Sequence, residues 1–234
     1  MLRALLVLAF WGVAAVAVGL IGISWTFLSG KVDLLYRMGV RVGFLGVRLV
    51  GVKVEVVGSK ELDWRRTYIF MCNHVSNLDP PIVIPVMPRR TSVLVKKELF
   101  RVPILGWGMR LTSLVPVDRR NREAAIASLH FAADVLRSGV NMTIWPEGTR
   151  SADGRLIPFK RGPFHLAMES GVPIVPVTIA GTHEIWRKGE FAIHPGTATV
   201  IFHPPIDPAG YASLEELIDA VRERIRSGLP EKYQ

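Results

Sequence analysis

The sequence predicts an α/β domain with a mostly buried mixed sheet flanked by helices, preceded by an N-terminal pair of membrane-anchoring helices. From residue 53 onward, short strand-like segments alternate with helical patterns, as in folds that pack helices on a sheet. The first 52 residues form two longer apolar runs. In addition, 49% of the residues are hydrophobic and the mean hydropathy is +0.29. That value is high for a soluble protein and points to a membrane segment.

The first apolar run, residues 4–28, contains 25 residues without a formal charge. As a helix rising about 1.5 Å per residue, it is long enough to cross the roughly 30 Å hydrocarbon core of a bilayer. Arg3 precedes the run and Ala15-Val16-Ala17 resembles a cleavage site, so a cleaved signal peptide is the alternative. The apolar part of a signal peptide is usually only about 7–15 residues long. The longer run therefore favours a retained anchor.

The second run, residues 34–52, carries Arg37, Arg41 and Arg48. At about 100° per residue, these side chains fall within about 40° of one another and form a basic stripe on an otherwise apolar helix. Such a helix suits the membrane interface, with its stripe toward the headgroups. An ordinary domain helix with a charged face is the alternative. We expect residues 1–52 to form the anchor and residues 53–234 the main domain, and whether the second helix spans the membrane or lies on it stays open.

The charge of the chain bears on its partners and its location. A formal net charge of +9 and a pI of about 10.1 suit either nucleic acid or an anionic membrane surface. The chain has no zinc-finger spacing and no RNP-type aromatic motif, so we expect anionic lipid and no nucleic acid. Positive charge downstream of the anchor predicts a cell-membrane protein with its main domain on the cytoplasmic side. The single cysteine, Cys72, excludes an intrachain disulfide and agrees with a reducing compartment.

Strand and helix patterns follow one another beyond residue 52. We predict strands at residues 53–57, 68–72, 113–117, 141–145, 174–180 and 197–202, and helices at residues 123–137, 162–170 and 213–227. Another helix is expected to begin at Asp79-Pro80-Pro81, which offers an N-cap residue followed by proline at the first helical position. No internal repeat or low-complexity linker interrupts this order.

His74 and Asp79 are the strongest candidates for chemistry, because they lie on a polar turn directly after a predicted strand. On a continuous helix their side chains would point about 140° apart, so the turn must bring Asp79 back to the imidazole. Asp79 then accepts a hydrogen bond from one ring nitrogen, and the other nitrogen takes a proton from a substrate hydroxyl. With no obvious enzyme nucleophile, direct attack of that hydroxyl on a thioester is the economical mechanism.

A structural interpretation of the same turn stays open at this point, with Asp79 as an N-cap and His74 as a loop residue. The neighbouring Cys72 is better explained as a strand side chain than as a nucleophile. Ser76 is better explained by hydrogen bonding within the turn. The chain has no G-x-S-x-G, Walker, G-x-G-x-x-G or H-E-x-x-H motif. No two of its six histidines lie within five residues of each other, so a local metal-ligand pair is missing.

Two polar segments after predicted strands suit phosphate binding. They cover residues 115–120 and 145–151. Arginine side chains such as Arg119 can fork onto phosphate oxygens, and Gly148 lets a ligand approach the backbone. Lys96 and Lys97 add point charges. Taken singly, each of these cations is more often a solvated surface residue than a phosphate ligand.

Four ordered blocks resemble the bacterial and organellar 1-acylglycerol-3-phosphate O-acyltransferases, within the glycerolipid acyltransferase superfamily. The blocks are Asn73-His74…Asp79-Pro80, Val117-Asp118-Arg119, Pro146-Glu147-Gly148-Thr149-Arg150-Ser151 and Val172-Pro173-Ile174-Val175-Pro176-Val177, and Lys96-Lys97-Glu98-Leu99-Phe100 lies between the first two. The resemblance covers roughly residues 53–205. The second block departs from the family in having Val115-Pro116-Val117 where a bulky apolar or aromatic residue usually precedes the Asp-Arg pair, which bears on the choice of acceptor.

The resemblance implies roles for the candidate residues. His74 would be the general base and Asp79 its orienting partner, which makes residues 53–234 an acyltransferase catalytic domain. The residues that it assigns to acceptor binding are Lys96 or Lys97, Arg119, Glu147, Gly148, Thr149 and Arg150. Members of the family use acyl-CoA or acyl-acyl carrier protein as co-substrate and need no metal or other cofactor.

The activity implied by the resemblance is acyl transfer to the 2-hydroxyl of lysophosphatidic acid, giving phosphatidic acid in phospholipid biosynthesis. A related acyltransferase acting on glycerol 3-phosphate or another lysolipid is the nearest alternative. A catalytically silent lipid-binding membrane protein and a hydrolase that releases free fatty acid are more distant alternatives. Acyl-chain length, the choice of donor and the oligomeric state are not predicted.

Overall fold

A computed structural model describes residues 1–118 and 121–234 as one mixed sheet with helices on both faces. The seven strands are β1 (Val52–Val57), β2 (Ile69–Cys72), β3 (Thr91–Lys96), β4 (Val115–Val117), β5 (Asn141–Ile144), β6 (Ile174–Ala180) and β7 (Gly196–Phe202). The helices are α1 (Leu2–Ser29), α2 (Asp33–Leu49), α3 (Asp79–Val83), α4 (Leu105–Leu111), α5 (Arg122–Arg137), α6 (Gly162–Ser170), α7 (Thr182–Ile185) and α8 (Leu214–Ser227).

The strands lie in the order β1-β7-β6-β2-β5-β3-β4. The pair β6 and β7 is antiparallel, and the other five neighbouring pairs are parallel. Strands β2, β5, β3 and β4 therefore point the same way and end at one edge of the sheet. The predicted mixed sheet is confirmed, and this edge brings together side chains that are far apart in the sequence.

Both faces of the sheet are covered, as the side chains of β2 show. All four are buried. Phe70 and Cys72 belong to a core cluster shared with α1, α2 and α3, whereas Ile69 and Met71 belong to a second cluster shared with α5, α6 and α8. This alternation follows from the two-residue period of a strand. Burial on both faces explains why β2 is apolar throughout.

Helices α1 and α2 form a closely packed hairpin. The indole nitrogen of Trp11 donates a hydrogen bond to the carbonyl of Val42 over 3.3 Å. A Cβ atom at Gly46 would lie 2.1 Å from that nitrogen, and one at Gly22 would lie 2.7 Å from Leu35. Glycine at these two contacts therefore allows the helices to approach this closely.

Helix α1 is long and apolar enough to cross a membrane, and no other helix of the described residues meets the same criteria of length and composition. Much of its surface is exposed, with large apolar side chains such as Leu20 and Phe27 open to the surroundings. Nevertheless Ala4 and Val7 lie in the core cluster that includes β2. The predicted anchor therefore packs against the main domain near its beginning and also near its end, where the ring of Phe27 lies 6.2 Å from that of Trp107 in α4. The division at residue 52 stays a prediction.

Helix α2 matches the predicted second segment and presents its basic stripe outward. Arg37, Arg41 and Arg48 are all exposed. The opposite side packs on the main domain, where a Cβ atom at Gly43 would lie 3.5 Å from Pro81 of α3. With 17 residues, the helix is about 25 Å long, which is shorter than a bilayer core of roughly 30 Å.

The predicted elements of the main domain are found with small shifts at their ends. The helix at residues 162–170 and the strand at residues 174–180 have the predicted bounds, and the strand predicted at residues 113–117 begins two residues later, at Val115. Ser113 adopts a positive φ of 62°, which an extended strand does not accommodate. Strand β3 and helices α4 and α7 were not predicted.

Candidate active site

The candidate site begins where β2 leaves the sheet. The side chain of Asn73 makes two hydrogen bonds to the backbone of Ile179 in β6: its amide donates to the carbonyl over 2.9 Å, and its oxygen accepts from the N–H over 2.7 Å. Asn73 is 1% exposed. Its side chain thus replaces one step of backbone pairing, so the next residues can turn out of the sheet without leaving buried polar groups unpaired.

His74 and Asp79 meet on that turn, as the sequence predicts. His74 Nδ1 lies 2.7 Å from Asp79 Oδ2. The Asp79 side chain is fully buried, whereas that of His74 is 16% exposed. The carboxylate is therefore shielded from solvent while the imidazole still reaches the surface of the site.

Asp79 is held by four hydrogen bonds. Besides the imidazole, Oδ2 accepts from the backbone N–H groups of Val75 and Ser76, each over 2.8 Å, and Oδ1 accepts from the hydroxyl of Thr182 over 2.7 Å. The expectation that Asp79 is an N-cap is wrong. The N-cap residue is Leu78, and Asp79 is the first helical residue. Its carboxylate points back to the preceding turn instead of to the N–H groups of the helix.

This network assigns the tautomer of His74. Every partner of Asp79 other than the imidazole is an N–H or O–H group that donates to it. Asp79 is thus an acceptor toward His74 as well, and the ring proton lies on Nδ1. Nε2 is left with a lone pair. A fixed carboxylate also stabilises the imidazolium that forms when Nε2 takes a proton.

Glu147, which follows β5, holds the backbone of His74. Its Oε1 accepts a hydrogen bond from the backbone N–H of His74 over 2.7 Å, and its Oε2 accepts from Ile157 N–H over 3.4 Å. The residue is 1% exposed. Burial raises the pKa of the Glu147 carboxyl to about 8, against the opposing effect of these two N–H groups. Oε2, with the longer contact, is the oxygen better placed to hold the proton.

The Glu147 pKa makes the stability of the protein depend on pH. Because the carboxyl titrates at about 8 when folded and near 4.5 ordinarily, the folded state binds the extra proton between these values. Its contribution to stability is complete below about pH 4.5 and is lost as the pH rises through about 8. We expect Glu147→Gln, which stays neutral, to flatten that slope in chemical denaturation. An unchanged slope would contradict this assignment, and Glu169→Gln on exposed α6 surface is the control.

The loop after Glu147 is tied to the rest of the site. Ser151 N–H donates to the carbonyl of His74 over 2.8 Å. Lys188 Nζ donates to the carbonyl of Arg150 over 2.7 Å. Arg222 of α8 reaches the carbonyls of Leu156 and Ile157, each over 3.4 Å. The loop therefore has a defined path beside the imidazole.

Thr182 was not predicted as a site residue, and Trp145 was predicted only as part of the polar segment 145–151. Thr182 begins α7 directly after β6 and is fully buried, with its hydroxyl on Asp79. The ring of Trp145 lies 5.1 Å from that of His74 at 38°, and its N–H is buried without a hydrogen-bond partner among the described residues. A polar residue directly after a buried strand was the available signal for Thr182.

Helix α7, which carries Thr182, is itself held by the end of the chain. Glu184 accepts hydrogen bonds from Lys232 Nζ over 2.6 Å and from the hydroxyl of Tyr233 over 2.8 Å. The ring of Tyr233 also contacts His183 edge-on, with the ring centroids 5.4 Å apart. The C-terminal residues thus brace the helix whose hydroxyl fixes Asp79.

The predicted cations lie along the same edge of the sheet. Lys96 ends β3 and Lys97 follows it, and β3 is two strands from β2, or about 10 Å across the sheet. Lys97 Nζ is paired with Asp118, whereas Lys96 is largely exposed and lies 3.8 Å from Glu98. Arg119 lies outside the described residues.

The predicted Gly148-Thr149-Arg150 segment forms the start of the loop after β5. Gly148 has a positive φ of 72°, a conformation that favours glycine. Thr149 is exposed and Arg150 is partly exposed. All three residues immediately follow the buried Glu147, so they lie at the opening of the site and not in the core.

The two alternative nucleophiles have structural roles. Cys72 is fully buried, and burial, aided by the charge of Asp79, raises the pKa of its thiol well above the usual range, so it is not a reactive thiolate. Ser76 donates its hydroxyl hydrogen to the carbonyl of Trp186 over 2.9 Å and accepts from Leu78 N–H over 3.2 Å. His74 is therefore the group of this turn that is equipped to move a proton.

Comparison with known proteins connects this geometry to a family. Residues 53–180 match the family described as Acyltransferase. A 1-acyl-sn-glycerol-3-phosphate acyltransferase of Limnanthes alba is 40% identical over 199 residues, which are 83% of this chain and 69% of the plant protein. The corresponding alpha enzyme of Homo sapiens is 31% identical over 182 residues, which are 77% of this chain and 64% of the human protein.

A solved structure extends the likeness to the whole fold. The crystal structure of the 1-acyl-sn-glycerophosphate (LPA) acyltransferase PlsC from Thermotoga maritima matches with a TM-score of 0.80 at 31% identity, over 95% of this chain and 93% of that one. The match takes in the hairpin of α1 and α2 as well as the sheet, because it leaves only a twentieth of the chain uncovered. The chain therefore belongs to the acyltransferase family, among the 1-acyl-sn-glycerol-3-phosphate acyltransferases.

Proposed function

We propose that the protein transfers a fatty-acyl group from acyl-CoA or acyl-acyl carrier protein to the 2-hydroxyl of lysophosphatidic acid. The product is phosphatidic acid, an intermediate of phospholipid biosynthesis. The observation that carries this proposal is the Nδ1–H of His74 held by Asp79, which leaves Nε2 as a base at the surface of the site. The names of the Limnanthes alba and Thermotoga maritima proteins support the choice of acceptor.

The reaction proceeds by direct acyl transfer. Nε2 of His74 takes the proton of the acceptor hydroxyl while the oxygen attacks the thioester carbonyl. The tetrahedral adduct then expels the thiolate, and the imidazolium returns its proton to that sulfur. One ester bond forms, one thioester bond breaks, and the free thiol leaves. The steps balance without a metal ion or a redox cofactor.

Acceptor binding is proposed for the residues at the opening of the site. Lys96 and Arg150 supply positive charge for the phosphate, and Lys97 does so together with its partner Asp118. Thr149 offers a hydroxyl group, Gly148 lets the ligand approach the backbone closely, and Arg119 is the basic residue of the second block. Glu147 contributes by positioning, since its oxygens are used by backbone N–H groups.

Membrane attachment completes the proposal. We place α1 in the bilayer as an anchor, with the catalytic domain on the cytoplasmic side. The apolar, largely exposed surface of α1 supports this placement. The packing of Ala4 and Val7 on the main domain supports a site close to the membrane surface, where a lysolipid acceptor need not leave the bilayer.

The test is thiol release from palmitoyl-CoA and palmitoyl-acyl carrier protein by the detergent-solubilised full chain. We expect release with either donor or both, and we expect it to require lysophosphatidic acid. Lysophosphatidylethanolamine and glycerol 3-phosphate serve as alternative acceptors. Stimulation by one of these in place of lysophosphatidic acid would contradict the acceptor assignment while keeping the mechanism.

Two other outcomes would contradict acyl transfer itself. Thiol release with free fatty acid as product, independent of any acceptor, identifies a hydrolase. No turnover with any donor or acceptor favours the catalytically silent lipid-binding protein. Mass spectrometry of the lipid product separates these results, because only acyl transfer yields an acylated acceptor, which is a diacyl lipid from a lysolipid and a monoacyl lipid from glycerol 3-phosphate.

A further inference from the structure

A basic cleft lies between α2 and the segment that leads into β3. It has a volume of about 490 Å³, and four arginines line it together with one acidic residue, Asp33. The arginines are Arg37, Arg41, Arg89 and Arg90. We call it the arginine cleft. Its net formal charge, four positive less one negative, is +3.

The arginine cleft is separate from the candidate active site. Arg89 and Arg90 directly precede β3, and Arg89 donates to the carbonyl of Gly139, which lies two residues before β5. The cleft therefore lies at the amino edge of these parallel strands, whereas His74 and Glu147 follow strands at the carboxyl edge. A six-residue strand such as β3 separates the two edges by about 20 Å.

Two of the arginines are fixed by the protein. The Arg89 guanidinium donates to the carbonyls of Trp64, Arg65 and Arg66 over 3.2, 2.9 and 2.9 Å. Arg90 donates to the hydroxyl of Ser113 over 2.8 Å, and its Nε is buried without a hydrogen-bond partner among the described residues. These contacts are with neutral groups, so they hold the two positive charges in place without neutralising them.

The other two arginines project from α2 one turn apart. Arg37 and Arg41 are exposed, as an i, i+4 pair on one helix face. Within residues 1–118 and 121–234, no salt bridge joins any of the four arginines to a carboxylate. Tyr36 adds a hydroxyl, whose oxygen accepts from Thr91 N–H over 3.1 Å, so its hydrogen can be donated into the cleft.

Positive charges without a carboxylate partner, arranged around a small volume, match a phosphate group. Guanidinium groups present paired N–H groups that fit phosphate oxygens, and they are weakly hydrated. Like charges held close together also repel one another, and a bound anion relieves that repulsion. The chemistry of the cleft therefore favours the binding of a phosphate group.

The position of the cleft selects the source of that phosphate. Its outer wall is α2, which forms a hairpin with the apolar, exposed α1. The two helices pack along their lengths, so Arg37 and Arg41 lie beside the middle of α1. These arginines reach headgroup depth when the hairpin lies along the membrane interface. We propose that the arginine cleft binds the headgroup phosphate of an anionic membrane phospholipid, at a site distinct from that of acyl transfer. The inference depends on the membrane placement of α1 and not on the reaction.

Native mass spectrometry of the detergent-solubilised full chain tests this site without any turnover. The probe is phosphatidylglycerol, compared with phosphatidylcholine and inorganic phosphate. We expect the double variant Arg37→Gln/Arg41→Gln to bind phosphatidylglycerol at least about tenfold more weakly, because it loses two charge-assisted contacts. Phosphatidylcholine binding should not change.

Arg48→Gln is the matched control. Arg48 lies on the same exposed stripe of α2 but faces the ring of Phe44 and does not line the cleft. We expect this variant to bind phosphatidylglycerol like the wild type. An equal loss in Arg48→Gln would overturn the proposal in favour of general surface attraction. Inorganic phosphate binding as tightly as the lipid would overturn the lipid as the ligand.

This experiment tests the lipid site of the arginine cleft independently of the proposed acyl transfer. Binding is measured with no acyl donor present, so an inactive enzyme still reports on the arginine cleft. Circular dichroism and the melting temperature of each variant must match the wild type. All three replaced side chains are exposed, so their loss leaves the core packing intact.

Discussion

Replacing His74 with alanine is expected to lower kcat for acyl transfer by about a thousandfold, within the roughly 10²–10⁴-fold range of general acid–base catalysis. The variant has no base at the position of Nε2, whereas Asp79 keeps its hydrogen bonds from Val75, Ser76 and Thr182. We expect KM for lysophosphatidic acid to change little. The measurement is initial-rate kinetics of acceptor-dependent thiol release.

The control for this variant is His165→Ala, which removes an exposed histidine of α6. We expect it to be fully active. Circular dichroism must show both variants folded, which is expected because His74 is not part of either core cluster. Near wild-type turnover in folded His74→Ala would rule out the general-base role.

Asp79→Asn should cause a loss of similar size, about 10²–10⁴-fold in kcat, while the protein stays folded. The amide keeps the size and one acceptor oxygen of the carboxylate, so it can still serve the turn and Thr182. It carries no charge, however, and does not stabilise the imidazolium that forms on His74. Kinetics of the purified variant measure the loss of activity, and denaturation curves measure any change in stability.

Asp79→Ala distinguishes the role of the Asp79 carboxylate in catalysis from its role in the stability of the fold. This variant leaves the N–H groups of Val75 and Ser76 buried without an acceptor, at a cost of about 1–3 kcal/mol each. We therefore expect a lower melting temperature in addition to lost activity. Asp134→Asn, at an exposed carboxylate of α5, is the control and should change neither. A fully active Asp79→Asn would show that the charge is not needed.

Sequence-based prediction succeeded for the part of the site that is local in the chain. His74 and Asp79 are five residues apart, and one turn brings them together. The bonds that fix this turn come from much farther away: Asn73 pairs with Ile179 across 106 residues, and Asp79 with Thr182 across 103. Such partners depend on the strand order, which a single sequence does not specify.

The missed elements have local reasons. Strand β3 has three consecutive apolar residues between Arg89-Arg90 and Lys96-Lys97, so charged flanks obscure a short buried strand. Helix α4 contains Gly106 and Gly108 among its seven residues, and glycine lowers helix propensity by about 1 kcal/mol each. A Cβ atom at Gly106 would lie 2.2 Å from the carbonyl oxygen of Phe100. Tertiary packing therefore requires glycine there.

The bond between Asn73 and Ile179 also has a consequence for biosynthesis. A ribosome makes His74 and Asp79 about a hundred residues before the strand and hydroxyl that hold them in place. A nascent or truncated chain that ends before β6 already contains the N-terminal helices and the histidine. It lacks the strand that holds the turn in place. The protein therefore becomes catalytically competent only at a late stage of folding, when these long-range contacts form. A membrane-bound fragment would not acylate lipids before the sheet closes, and turnover would serve as a direct reporter of completed folding.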